Sequence, residues 1–299
     1  MRWIGAAAFI AVVLSVSLPL AAEAEKVRPP AVSGQFYPGS AGALEKEIRG
    51  FLAGASSMPD PAVRALIVPH AGYPYSGRIA AEAYKTVQGR NFDTVVILGF
   101  SHHVPFRGIY VDDHDAYETP LGRVRVDVEM ARALRALHPV LQDRPSGSFE
   151  EHSVEVQVPF IQEALKGASI VPVYMGEQSA ANAAILGDAL AKTIAGKNVL
   201  VVVSTDLSHF HPYDEAVRKD RACIALIEAS DEPGFLTASE QGAIEACGSG
   251  PVLALLALQK KMGWSAPALL SYANSGDVTG DRGRVVGYAA MKMRALSPA

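Results

Sequence analysis

Five of the chain's eight histidines fall in three short segments, each at the end of an apolar run. His70 follows the run 64–69, in Pro69-His70-Ala71-Gly72-Tyr73. His102 and His103 follow 94–99, in Gly99-Phe100-Ser101-His102-His103. His209 and His211 follow 198–204, in Thr205-Asp206-Leu207-Ser208-His209-Phe210-His211. One histidine after a strand is ordinarily structural. Three strand ends that carry histidine to the same edge of a sheet point instead to a shared metal or acid/base site, because imidazole is the commonest metal ligand and titrates near neutrality. Cys247, in Ala246-Cys247-Gly248-Ser249-Gly250-Pro251, precedes a helical pattern and is placed to complete such a site. A helix N-terminus favours the thiolate, and Gly248 and Gly250 let the backbone approach a ligand. The alternative is an inert thiol or a disulfide with Cys223. Glu150-Glu151-His152-Ser153-Val154-Glu155 sets acids beside another histidine, and reads equally well as an acidic first turn of a helix. Asp206, three residues before His209, is placed either to orient a histidine or to cap a turn.

Other chemistries fit less well. No GxGxxG or Walker A pattern follows a strand, no G-x-S-x-G elbow is present, and HExxH is absent. The elements that must position the histidines alternate. Residues 25–40, rich in Pro and Gly, read as an extended arm, and a helix follows through Leu44, Ile48, Phe51 and Leu52 with Ser40 as N-cap. The runs 64–69, 94–99, 169–174, 198–204, 268–272 and 285–291 read as strands. Helical patterns cover 76–87, 128–137, 150–165, 180–194, 214–230 and 252–262, and Pro159 should kink or break the third of these. Cys223 sits inside 214–230 as a small core residue. Continuous apolar strands separated by amphipathic helices predict a single α/β domain with a mainly parallel central sheet flanked by helices. In such folds ligands bind beyond the carboxyl ends of the strands, where the histidines lie.

The 299 residues, 49% hydrophobic and 19% charged, support a sizeable core. A net charge of −4 with no basic run argues against nucleic-acid binding or attachment to an anionic bilayer. Two cysteines without a close partner in sequence exclude a disulfide framework or a CxxC zinc site. Met1-Arg2-Trp3 gives a positive start, and residues 4–20 are uncharged and apolar apart from Gly5, Ser15, Ser17 and Pro19. Ala22-Glu23-Ala24 then supplies an A-x-A cleavage pattern. Residues 1–24 therefore read as a secretory signal peptide cut after Ala24, which predicts an exported, periplasmic or extracellular protein with no membrane contact after cleavage. The domain proper is 25–299.

Several of these segments also resemble one family. They are Gly34-Gln35-Phe36-Tyr37-Pro38, Val68-Pro69-His70-Ala71-Gly72-Tyr73, Leu98-Gly99-Phe100-Ser101-His102-His103, Tyr117-Glu118-Thr119-Pro120-Leu121-Gly122, Glu151-His152-Ser153-Val154-Glu155, Ser204-Thr205-Asp206-Leu207-Ser208-His209, Cys247-Gly248 and Val286-Gly287-Tyr288-Ala289-Ala290. Together they resemble the MEMO family, also called protein B of the AmmeMemoRadiSam system, from about Arg28 to Met293. The resemblance implies a fold similar to class III extradiol dioxygenases, in which two histidines and a glutamate hold Fe(II) and a further histidine acts as acid/base. Carried over, His70 and His102 match the two histidine ligands, which decides between His102 and His103. Cys247 stands where this family places a cysteine as third ligand, and His209 matches the acid/base histidine, with Asp206 beside it. The implied cofactor is Fe(II), with copper or zinc as alternatives because a thiolate is softer than a carboxylate.

The resemblance implies a metal-dependent redox protein, in the manner of a non-haem iron oxidoreductase acting on a small molecule with O2, without fixing a reaction. Two other readings stand beside it: a non-enzymatic binding or signalling module with a vestigial cleft, and handling of copper or iron outside the cytoplasm. The family's association with AMMECR-like and radical-SAM proteins implies cytosolic partners, which an exported chain would not meet.

Overall fold

The strand 94–99 is apolar on both faces, so it can lie only where both faces of a sheet are covered. In the computed structural model, Thr94–Phe100 is buried at every position and sits near the middle of an eight-stranded sheet. The structure describes Met1, residues 24–146 and residues 150–296. The expected signal peptide lies outside the described residues save its two ends. No helix among the described residues is long and apolar enough to cross a membrane.

In chain order the elements are β1 (Val27–Arg28), α1 (Ala41–Gly54), β2 (Val63–Val68), α2 (Tyr73–Val87), β3 (Thr94–Phe100), β4 (Ile109–Val111), β5 (Ala116–Thr119), β6 (Gly122–Arg125) and α3 (Val128–Arg135). Then come α4 (Val158–Ala164), β7 (Ser169–Met175), α5 (Ala180–Ile194), β8 (Val199–Ser204), β9 (His209–His211), α6 (Tyr213–Glu228), α7 (Glu232–Glu240), α8 (Ser249–Met262), β10 (Ala268–Asn274), α9 (Ser275–Thr279) and β11 (Val285–Arg294). The large sheet runs β10-β11-β2-β8-β3-β7-β4, with β9 paired to β11. A small second sheet, β1-β5-β6, holds the start of the N-terminal arm.

The sheet is mixed, which corrects the expectation of a mainly parallel one. β2, β8, β3 and β7 pair in parallel, while β11, β10, β9 and β4 join antiparallel at the two sides. The reason is connectivity. Helical crossovers link the central strands and force the parallel sense. The chain's end instead returns as the hairpin-like pair β10–β11, whose half-buried β10 closes one edge. Apolar clusters fill both sides of the sheet, one around Val96, Leu98, Leu190 and Leu255, the other around Leu66, Tyr84, Val95 and Phe160.

Two helix boundaries differ from expectation for a definite reason. Residues 150–154 form no helix; a short 3-10 turn, Glu155–Gln157, leads into α4. Pro159 falls in the first turn of α4, where its missing N–H has no partner to lose, so it starts the helix instead of breaking it. Likewise α8 begins before 252, with Pro251 near its start and Gly248 as N-cap. Ser40 is the N-cap of α1, but its side chain makes no capping hydrogen bond. Cys223 is fully buried in the core, and both cysteines are free thiols.

Candidate metal centre

β2, β8 and β3 are parallel neighbours, so their carboxyl ends share one edge. Each delivers a functional residue shortly past its end: His70 after β2, Asp206 after β8, His102 after β3. Cys247 arrives from the loop before α8, fastened by its backbone N–H to the Asp206 carbonyl at 3.1 Å. One ligand atom from each of His70, His102 and Cys247 lies within 4.8 Å of the others. Cys247 Sγ stands 3.3 Å from His70 Nε2, and the two imidazoles meet edge to face with ring centroids 5.2 Å apart.

The hydrogen bonds fix which nitrogen of His70 faces the cluster. Ser204 Oγ donates its single proton to the Ser153 carbonyl at 2.5 Å, since a carbonyl can only accept. Gln157 Nε2 donates to the same oxygen at 2.8 Å, and the Pro69 carbonyl confirms that amide's orientation. Ser204 Oγ can therefore only accept from His70 Nδ1, 3.0 Å away. The proton sits on Nδ1 and the bare Nε2 points at the sulfur. His102 is set in the same way: its Nδ1 bonds Glu151 Oε1 at 2.8 Å, leaving Nε2 for the cluster. His209 Nδ1 donates to the Leu207 carbonyl at 2.8 Å, leaving its Nε2 free as well. Protein acceptors on the outer nitrogen are the usual device for presenting imidazole to a metal.

Charge follows burial. His70 is 1% exposed. Its burial, and then the charge of His102, push it down to about 3, so it stays a neutral base. His152 is also pushed down to about 3, by burial and then by His70. Burial works to raise the Glu151 carboxyl, but the bond and charge of His102 win and hold it at about 2. Burial pushes the Asp206 carboxyl upward against two backbone donors.

Two expectations need correction. The helix N-terminus does not favour the Cys247 thiolate here, because burial and the neighbouring Asp206 carboxylate push the thiol up. Two N–H groups at the start of α8 are already engaged: Gly248 donates to Thr205 Oγ1 and Gly250 to Gln178 Oε1, each at 2.8 Å. The sulfur instead accepts from Asp206 N–H at 3.1 Å. A cation would have to displace the thiol proton as it binds. Asp206, for its part, does not orient the ring of His209. Its Oδ1 accepts from the backbone N–H of His70 at 2.8 Å and of Ala71 at 3.3 Å, which fixes the loop carrying His70.

His103 lies outside the ligand group, and His211 bonds Glu245 at 2.7 Å. Glu150 likewise stays out of it. Sequence reading gave little weight to Glu151 and His152. Yet Glu151 carries His102, and the His152 ring stacks on the His102 ring at 4.2 Å. Gln157 and Glu245 were not singled out at all, and Ser204 only as the first residue of a segment quoted for the family resemblance. A polar residue at the end of an otherwise apolar strand, Ser204, is the one signal that was available. A cavity of about 820 Å³ lies between α1, α2 and β10, and no histidine lines it.

A profile described as Memo-like protein matches residues 28–292. A MEMO1 family protein of Methanopyrus kandleri is 38% identical over 279 residues, covering 89% of this chain and 99% of its own length. One of Pyrobaculum aerophilum is 37% identical over 276 residues, covering 89% and 98%. Among solved structures, an uncharacterized protein of Escherichia coli K12, JW3007, aligns with a TM-score of 0.51 at 16% identity, covering 77% of this chain and 99% of that one. At that identity the likeness is one of fold alone.

Proposed function

The chain belongs to the Memo-like family, and on that premise we propose that it is a metal-dependent redox protein whose metal is held by His70, His102 and Cys247. The observation that carries this reading is the bare His70 Nε2, held 3.3 Å from Cys247 Sγ by a proton that Ser204 pins to the other ring nitrogen. The donor set fits a metal: two imidazoles and a thiol suit iron, copper or zinc better than a hard cation. Iron is the first expectation. When bound, iron or copper there would supply electron transfer to or from a small molecule and O2.

The chain's own residues do the rest. Glu151 orients His102 and counters the cation's charge. Asp206 fixes the His70 loop and, through its backbone N–H, the sulfur. His209, with its Nδ1 proton committed to Leu207, holds or moves a proton at Nε2. We take the protein to be exported, on the apolar segment 4–20 and Ala22-Glu23-Ala24. Export sets it apart from AMMECR-like and radical-SAM partners, and its weakly acidic composition from nucleic acid.

Metal content of the protein purified without oxygen tests the reading, beside a His70→Ala/His102→Ala double variant. About one equivalent of iron or copper in the wild type and none in the variant is expected. No metal in either, even after loading, overturns it and leaves a binding module with a vestigial cleft. Cell fractionation that finds the full-length chain in the cytoplasm overturns the export proposal.

A further inference from the structure

The loop that carries Glu151 holds itself in place only in part, through Glu151 Oε1, which accepts from the His152 and Ser153 N–H groups at 2.8 and 2.7 Å. Residues 150–154 form neither helix nor strand, so their position is set by what they bond to. On one side Ser153 Oγ donates to the Phe100 carbonyl at 2.9 Å, and the Ser153 carbonyl accepts from Ser204 Oγ at 2.5 Å. On the other side the partners come from the N-terminal arm, more than 110 residues earlier. Arg28 is 5% exposed, and its Nη2 donates to the Glu151 carbonyl at 2.7 Å. The same guanidinium faces Asp112 at 3.6 Å and lies over the rings of Tyr117 and Tyr174, at 5.2 and 5.4 Å from their centroids.

A second set of contacts lies further along the arm. The Glu155 carboxylate accepts from the Ala31 and Val32 N–H groups and from the Tyr37 hydroxyl, at 2.7, 3.0 and 2.6 Å. Between them Phe36 packs on the His152 ring at 4.7 Å, and its carbonyl accepts from Tyr73 N–H at 2.8 Å, three residues past His70. The arm thus touches both histidine-bearing loops. The arm's own start is fixed by β1 pairing with β5 and by Lys26 N–H on Asp115.

We infer that the arm is a strap that sets how tightly the cluster binds metal, with Arg28 a positioning residue for His102 acting through Glu151. The chain of contacts is short. Arg28 fixes the Glu151 backbone, and the Glu151 carboxylate takes the His102 ring at 2.8 Å and its N–H at 2.6 Å. A loop free to shift would leave His102 without a fixed tautomer or direction, and partners at this remove typically change metal affinity by about 10–100-fold. The inference rests on the metal-site reading above, and it deepens that reading by assigning control of the site to a segment that contributes no ligand.

The test uses the full chain with Co(II) as probe, in wild type, Arg28→Gln, Arg28→Lys and Phe36→Ala. Three quantities are measured: the Co(II) dissociation constant, the melting temperature of the metal-free protein, and the His102 ring nitrogens by nitrogen-15 NMR without metal. Arg28→Gln is expected to weaken Co(II) binding about tenfold or more and to release the Nδ1-protonated state of His102. Arg28→Lys, which keeps one donor for the Glu151 carbonyl, recovers part of the loss, and Phe36→Ala moves in the same direction by less. If Arg28→Gln does not fold, the other two variants carry the comparison. Folded variants that bind Co(II) as the wild type does overturn the strap. A wild type that binds no Co(II) sinks the metal reading instead, and the His102 spectrum then decides the strap alone: released in the variants it stands, unchanged it falls.

Discussion

Ser204→Ala is the sharpest probe of the site, because one hydroxyl serves three buried partners. Its loss strands the Ser153 carbonyl, which receives the Ser204 proton at 2.5 Å, and the His70 Nδ1–H, which donates to it at 3.0 Å. Gln157 loses one bond but keeps the Pro69 carbonyl at 2.8 Å. A buried polar group left unpaired costs about 1–3 kcal/mol. Two such groups come to about 2–6 kcal/mol, against the roughly 5–15 kcal/mol by which a domain is stable. The variant should fold, with a lower urea midpoint and an unchanged slope. The site should suffer in a second way. Without an acceptor at Nδ1, the His70 proton is free to move to Nε2, the nitrogen that faces Cys247, and metal affinity should fall about 10–100-fold. Nitrogen-15 NMR of the metal-free protein reads the tautomer directly, and competition with a chelator reads the affinity. A Ser204→Ala protein that keeps Nδ1 protonated and binds metal like the wild type would refute the tautomer argument.

The other predictions concern neighbouring parts of the same edge. A Cβ at Gly287 would stand 2.0 Å from Oδ2 of the buried Asp220, which bonds Ser208 N–H at 2.9 Å and Tyr272 at 2.7 Å. Gly287→Ala should therefore lose about 3 kcal/mol in denaturant unfolding, less than additively with Asp220→Ala; wild-type stability would sink the idea. In metal-free protein, His70 and His152 sit near about 3 when folded but titrate at about 6.5 once unfolded. The unfolded state then binds more protons, so stability should fall as pH drops from about 6.5 towards 3, by up to about 1.4 kcal/mol per pH unit for each histidine. Asp206, pushed the other way, offsets part of that slope. Urea midpoints that stay flat or rise on acidification over that window would contradict it. Cys247→Ser should weaken Co(II) binding by at least about tenfold and abolish the sulfur-to-cobalt absorption band; a surviving band would place the sulfur outside the site.

What the sequence made legible was what local pattern controls. Apolar runs placed β2, β3 and β8, and their parallel pairing made the residues just beyond them neighbours. His70, the pair His102 and His103, and Asp206 could be picked out for that reason alone, the family resemblance choosing His102 from the pair, and Cys247 from its turn with Gly248 and Gly250. The helix boundaries near Pro159 and Pro251 went astray because proline has opposite meanings inside a helix and in its first turn, and the apolar pattern does not say where the turn begins. The short strands β4, β5, β6 and β9 are three or four residues each, too short for alternation to register.

The illegible part of the site is its set of supporting partners, and the reason lies in chain separation. Ser204 reaches His70 across 134 residues, Glu151 reaches His102 across 49, and Arg28 reaches Glu151 across 123. No spacing rule connects positions that far apart. A ligand histidine is conspicuous because its type is rare and chemical, whereas the serine, glutamate and arginine that set its tautomer look like any other polar residues. Yet these partners decide whether His70 offers sulfur or metal a lone pair or a proton. The same three candidate ligands on a sheet without Ser204 and Glu151 would be a cluster of the right composition with no acceptor to fix either tautomer. It follows that a search for such sites by ligand spacing alone will over-count, and that the useful additional signal is a hydroxyl or carboxylate on the adjoining strand end, as Ser204 is at the last position of β8 beside the His70 loop.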